Sequence, residues 1–186
     1  MPAEKILVFR QAGPEVARTV WGSLERWFGP RVVEALKTYG EMYVASNRWA
    51  EAYLVPGEQA SLIEQLREAT GLYPYSAGLF LGYLEKGRYR PSLPLAHVVA
   101  KHAERGVVAV SDKAAQLFLY GRDVFSGSIT RFLGPLRKGD LVVVLNPLGE
   151  ALGYGEVVSP PQEWLHGSEI AVRNLQDLGW YLRRGG

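Results

Sequence analysis

The sequence has no cysteine, only two methionines and three histidines, and no large excess of charge of either sign. Without cysteine there can be no disulfide, no thiolate metal site and no cysteine nucleophile, a composition that fits a cytoplasmic setting. No apolar run approaches the ~20 residues that a membrane span needs. The start, Met1-Pro2-Ala3-Glu4-Lys5, has no apolar core behind a basic end and does not read as a secretory signal. The formal net charge is only +2, so any case for a nucleic-acid partner rests on where the basic residues sit, not on their sum.

Catalytic and cofactor signatures are missing too. There is no G-x-x-x-x-G-K-[ST] phosphate loop, and Gly153-Tyr154-Gly155 lacks the third glycine and the helix of a dinucleotide fingerprint. No G-x-S-x-G elbow occurs. His97 and His102 are five apart on a helix, hence on different faces, and His166 is distant, so no metal site is expected. Asp112, Asp123, Asp140 and Asp177 fall at turns or caps, where aspartate has a structural use. The expectation is a protein without catalytic residues, metal or cofactor, not an enzyme.

What is present reads as an α+β chain. Ile6 to Phe9 is a short strand. Pro14 opens a helix whose stripe of Val16, Val20, Trp21, Leu24, Trp27 and Phe28 ends at Gly29-Pro30. Met42–Ala45 and Trp49–Val55 flank Ser46-Asn47-Arg48 as a hairpin. Glu58–Thr70 is a second helix, with Leu62, Ile63 and Leu66 inward and a stop at Gly71. Tyr75–Leu84 and Tyr89–Leu93 flank a tight turn at 85–88, which puts Arg88 and Arg90 on one face beside Lys86. Pro94 starts a third helix, with Leu95, Val98 and Val99 buried. The expected first half is an antiparallel sheet covered by helices on one side. Charge and glycine replace the apolar pattern at Glu104-Arg105-Gly106, so a boundary is placed there: residues 1–104 form an N-terminal domain and residues 105–186 a second one.

The second half carries the most specific pattern. Val107–Val110 is a strand, and Asp112 caps a short helix through Phe118. Phe118-Leu119-Tyr120-Gly121-Arg122-Asp123-Val124 leads to a turn at Gly127. Lys138-Gly139-Asp140 precedes Leu141–Leu145, a run with no polar member that suits a strand buried on both faces. After Asn146-Pro147-Leu148-Gly149 comes Ala151–Val158, in which Gly153 and Gly155 allow close approach of another backbone or a ligand. Ile170–Val172 supplies a last strand, and Asp177 caps a final helical turn ending at Arg183-Arg184.

This order of elements resembles a PUA domain, the RNA-binding module appended to pseudouridine synthases and archaeosine transglycosylases. With Gly78–Tyr83, Phe118–Gly121, Gly153–Gly155 and the tail Asn174–Arg184, nearly the whole chain resembles the Nip-seven family of ribosome-assembly factors, archaeal members in particular. That resemblance implies an N-terminal α/β domain followed by a C-terminal PUA pseudo-barrel. It implies a non-catalytic role in precursor-rRNA processing and large ribosomal subunit assembly, with single-stranded stretches of RNA as ligand. Other assembly factors and the exosome would meet the N-terminal domain, and no membrane is involved. The residues assigned to RNA are Arg183, Arg184, Arg173, Arg122, Tyr120 and Lys113. Guanidinium groups hold phosphates and aromatic rings stack unpaired bases. Tyr154, Trp180 and Tyr181 lie among the basic residues; the last two are expected in the core, and Arg183 and Arg184 in solvent. Two other readings remain open at this point: a protein–protein adaptor with weak RNA contact, and an RNA-modifying enzyme.

Overall fold

The computed structural model describes residues 8–46, 50–164 and 166–184, so the tip of the first hairpin at 47–49 and the start of the first strand lie outside the described residues. Eleven strands form two separate sheets among these residues, one before Gly106 and one after it. By compactness the chain divides into one unit of residues 1–23 and 33–95 and a second of residues 24–32 and 96–186.

The first sheet is a meander in the order β1 (Val8–Gln11), β2 (Glu41–Ser46), β3 (Ala50–Val55), β4 (Leu79–Glu85), β5 (Arg88–Pro91), antiparallel throughout. β4 is shorter than the expected strand from Tyr75, because Gly78 breaks the extended run in a left-handed conformation, with φ +69°. Phe9, Tyr43, Tyr53 and Ile63 share one core cluster, and the Phe9 and Tyr43 rings stack 5.5 Å apart. The other parity of the central strands, Met42, Val44, Ala52 and Leu54, is buried as well. Both faces of this sheet are therefore covered, not one as expected.

The helix from Pro14 to Phe28 (α1) has its predicted bounds, with Val20, Leu24 and Phe28 on its buried stripe. A further helix, α2 (Pro30–Lys37), follows where the sequence pattern gives only a stop. A proline has no N–H to satisfy, so Pro30 ends one helix and suits the first turn of the next equally well. The helix α3 (Gly57–Thr70) ends at Gly71, with φ +70°, as expected. Its inward residues are corrected: Ile63 is buried, while Leu62 and Leu66 are 62% and 41% exposed. α4 (Leu93–His102) buries Leu93, Leu95, Ala96 and Val99.

The second sheet is a curled half-barrel in the order β7-β11-β10-β9-β6-β8. Its strands are β6 (Val107–Val110), β7 (Val124–Phe125), β8 (Ile129–Leu133), β9 (Leu141–Leu145), β10 (Ala151–Val157) and β11 (Ile170–Asp177), with α5 (Asp112–Leu119) and α6 (Gly179–Arg184) beside them. Among the described residues the one parallel pair is β6 with β9. Val142 to Val144 are fully buried, as the unbroken apolar run requires. β10 carries register shifts next to Gly153 and Gly155, which bend the sheet over its core.

Tyr154, between those glycines, is 2% exposed, with its ring 6.3 Å from that of Phe28. It is thus a core residue and not one of the aromatics beside the arginines. Burial pushes its phenol well above the ordinary tyrosine range, and its hydroxyl has no hydrogen-bond partner among the described residues. An orphaned buried hydroxyl costs about 1–3 kcal/mol. Tyr154→Phe is therefore expected to leave stability unchanged or raise it by about 1 kcal/mol in denaturant titration. A loss of that size would mean that the hydroxyl is hydrogen-bonded after all.

Candidate nucleic-acid interface

The interface is built where α5 ends and α6 begins. Ser111, not Asp112, caps α5: its Oγ accepts the N–H of Ala114 at 3.4 Å, and Asp112 is the first helical residue. An oxygen one residue earlier meets the open N–H groups of the first turn, and the carboxylate then favours the positive helix end. Ala114, Ala115 and Phe118 face the core, and Lys113, Gln116, Leu117 and Tyr120 are exposed. Lys113, Gln116 and Tyr120 recur at three- and four-residue steps, so they share one face.

The helix stops in a Schellman arrangement. The N–H of Arg122 donates to the carbonyl of Leu117 at 3.1 Å, and that of Gly121 to Phe118 at 2.9 Å. Gly121 takes φ +81°, which a side chain would strain. This accounts physically for Phe118-Leu119-Tyr120-Gly121. The tight reversal pushes Tyr120 outward, 72% exposed, and leaves Arg122 exposed beside it.

Three other residues anchor this corner. Asn174 on β11 donates its side-chain amide to the Phe118 carbonyl and its backbone N–H to Asp123 Oδ1, both at 2.8 Å. Gly179 lies so near Leu119 that a Cβ there would stand 2.8 Å from the Leu119 carbonyl carbon. Arg183 donates Nη1 to the Leu119 carbonyl and grips Asp177 with both nitrogens, at 3.0 and 2.9 Å. Asp177 is therefore not the cap of the final turn. It is the last residue of β11, 2% exposed. The carboxylate pushes the Arg183 guanidinium above its ordinary range.

Gln116, Leu119, Tyr120, Gly179 and Arg183 line a groove of about 220 Å3. Trp180 and Tyr181 flank it in sequence. They are exposed, at 41% and 58%, with edge-to-face rings 5.3 Å apart, rather than in the core as expected. A final helix of six residues can bury only one narrow side, and Gly179 lies on it.

Of the six residues assigned to RNA, Tyr120 and Arg122 fall on the exposed side of this corner, and Lys113 is exposed at the other end of α5, in its first turn. Arg183 lines the groove, but its guanidinium is committed to Asp177 and Leu119. Arg173 does not line it and pairs with Glu156 on β10 at 3.3 Å. Arg184 closes α6, and its side chain lies outside the described residues. Gln116 and Gly179 join the groove without having been assigned to it; the spacing of Gln116 four before Tyr120 is the sequence signal for the first. Among the described residues there is no cluster that could hold a metal ion.

A half-barrel of this strand order, closed by a short helix after β6 and another after β11, defines the second unit as a PUA domain. Residues 106–186 match the family model described as the UPF0113 PUA domain. Among curated proteins, a UPF0113 protein of Aeropyrum pernix is 37% identical over 125 residues, covering 65% of this chain and 66% of the relative. One from Archaeoglobus fulgidus is 34% identical over 114 residues, covering 60% and 64%. The chain thus spans just under two thirds of the length of these relatives. Among solved structures, a conserved PUA domain protein from Thermoplasma acidophilum shares the fold at TM-score 0.60 and 18% identity, over 96% of this chain and 99% of that one. A hypothetical protein from Pyrococcus horikoshii shares it at 0.62 and 16%, over 91% and 94%.

Proposed function

We propose that this protein is a non-catalytic RNA-binding factor of the Nip-seven type, acting in precursor-rRNA processing and large ribosomal subunit assembly in the cytoplasm. The observation that carries this reading is the exposed aromatic and cationic corner on the PUA domain: Tyr120 and Arg122 at the end of α5, with Lys113 in the first turn of that helix and Trp180 and Tyr181 next in sequence to Gly179 of the groove. Rings can stack unpaired bases, and cations next to them can hold the phosphates between those bases. The Arg122 side chain forms no hydrogen bond or ion pair among the described residues.

The test is a salt titration of single-stranded RNA affinity for the wild type and for Tyr120→Ala/Arg122→Ala. Removing one stacking platform costs about 1–3 kcal/mol, roughly five- to 150-fold in affinity. Removing the cation that holds one phosphate flattens the slope of log affinity against log salt by about 0.7. Unchanged affinity and slope would remove the corner from the RNA site. The assembly role is tested by crosslinking in the native cell, where recovery of RNA other than precursor rRNA would overturn it.

A protein-contact role for the first unit is favoured by α3, whose Leu62 and Leu66 are exposed one turn apart, with Leu72 65% and Tyr75 75% exposed just beyond. An apolar surface of this kind suits other assembly factors or the exosome as partners.

A further inference from the structure

Three cations from separate stretches of the second unit converge on a cavity of about 330 Å3 that shares no residue with the groove at α6. Arg26 comes from the last turn of α1, Arg105 from the connection before β6, and Lys138 from the turn before β9. All three are exposed, and none forms an ion pair among the described residues. Two acids stand nearby. Asp140, the one acid lining the cavity, accepts the N–H of Arg137 at 2.7 Å within its own turn. Glu104 pairs with Arg31 at 3.4 Å.

Three cations against the single carboxylate of Asp140 leave an excess of positive charge at the cavity, and an anion among them relieves their mutual repulsion. The cavity also has an aromatic wall. Trp27 lines it, held by Arg26 over one ring face at 5.6 Å and by the edge of Phe28 at 6.2 Å. Gly106, at φ +68°, lets the chain pass against the Trp27 carbonyl, where a Cβ would collide. The volume falls at the lower end of the range for pockets that take small organic ligands, about 300–1,000 Å3.

We propose that this cavity is a second RNA-contact site, in which Arg26, Arg105 and Lys138 hold backbone phosphate and Trp27 receives a base or sugar. The proposal rests on the RNA-binding role proposed for the PUA domain. It extends the RNA path from one end of β9 to the other: Leu141 borders the cavity, and Val144 pairs with Gly153, which in turn pairs with Asp177 beneath the groove. Three residues along β9, about 10 Å, and two strand spacings across the sheet, about 10 Å more, separate the two, roughly 14 Å in all, a span that a few nucleotides of one single strand can cover.

The experiment measures fluorescence anisotropy of a labelled single-stranded RNA across a salt series. It compares wild type, Arg26→Gln/Arg105→Gln/Lys138→Gln and the corner variant Tyr120→Ala/Arg122→Ala. The three glutamine substitutions are at exposed positions, and circular dichroism checks that the fold is kept. The cavity variant is expected to bind about tenfold or more weakly, with the salt slope flattened by about 0.7 for each phosphate it no longer holds. Wild-type affinity and slope in the cavity variant, with loss in the corner variant, would overturn this inference and leave the corner as the RNA site. Weaker binding in the cavity variant alone would support the cavity and remove the corner. Absence of RNA binding by the wild type would overturn both.

Discussion

Arg183→Ala is expected to destabilise the PUA domain more than Asp177→Asn, although both remove the same ion pair. The asymmetry comes from burial. The Asp177 side chain is 3% exposed and that of Arg183 34%. Removing the arginine strands a carboxylate in the interior, and an uncompensated buried charge costs about 3–5 kcal/mol. The Leu119 carbonyl at the end of α5 loses a donor in the same step. Asp177→Asn instead leaves a neutral amide behind, and the guanidinium can turn into water. Its cost is that of a charge-assisted hydrogen bond, about 1.5–3 kcal/mol. Replacing both residues together with leucine should recover much of the loss, since apolar groups of similar size often substitute for a buried ion pair without penalty. Urea denaturation of the three variants decides the matter. An Asp177→Asn loss equal to or above that of Arg183→Ala would show that the carboxylate reaches water when unpaired, and the clamp would then be a surface pair of little weight. Any fall in RNA affinity in Arg183→Ala should track the lost fold and leave the salt slope of the folded fraction unchanged, because this guanidinium is already engaged.

Gly153→Ala should be among the most damaging single-methyl additions in the chain. A Cβ at that position would overlap the Gln176 carbonyl and stand 2.7 Å from the Asp177 Cα, with φ at +156°. Both obstacles are backbone of the neighbouring strand β11, so no rotamer change clears them. The ladder between β10 and β11 would have to open where it supports Asp177. Overpacking of this kind costs typically 1–3 kcal/mol, and the upper end or beyond is expected here because a main chain must move. Gly155→Ala meets a Val172 methyl and stands 2.9 Å from the Arg173 carbonyl, so part of its clash is with a side chain that can turn. Gly149→Ala has open space around it, and only its φ of +83° opposes the change, at about 1–2 kcal/mol. The expected order of melting temperatures is therefore Gly149→Ala highest and Gly153→Ala lowest. A Gly153→Ala variant that melts with Gly149→Ala would refute the close approach of the two strands.

Several elements were written in the chain itself. The α1 stripe, the β6 run of Val107–Val110 and the all-apolar Leu141–Leu145 were legible because period and composition are local properties. The short helix up to Phe118 was legible too, but its left-handed stop at Gly121 emerged only in the structure. Tyr120 and Arg122 were singled out in the sequence by residue type and resemblance; their exposure comes from that stop, which throws the residues on either side of it outward. Tertiary structure decided the rest. Whether Leu62 and Leu66 face inward depends on what α3 packs against, and a helix pattern does not name its neighbour. Trp180 and Tyr181 have a core-like composition, yet α6 is too short to bury them. Most decisively, Asp177 and Arg183 read as a cap and a free cation in the sequence alone. Leu119 lies 64 residues before Arg183, and only the curl of β10 and β11 brings the end of α5 to that guanidinium. Charge in a sequence says what a side chain can do; whether a partner is already within reach is set by contacts between residues far apart along the chain.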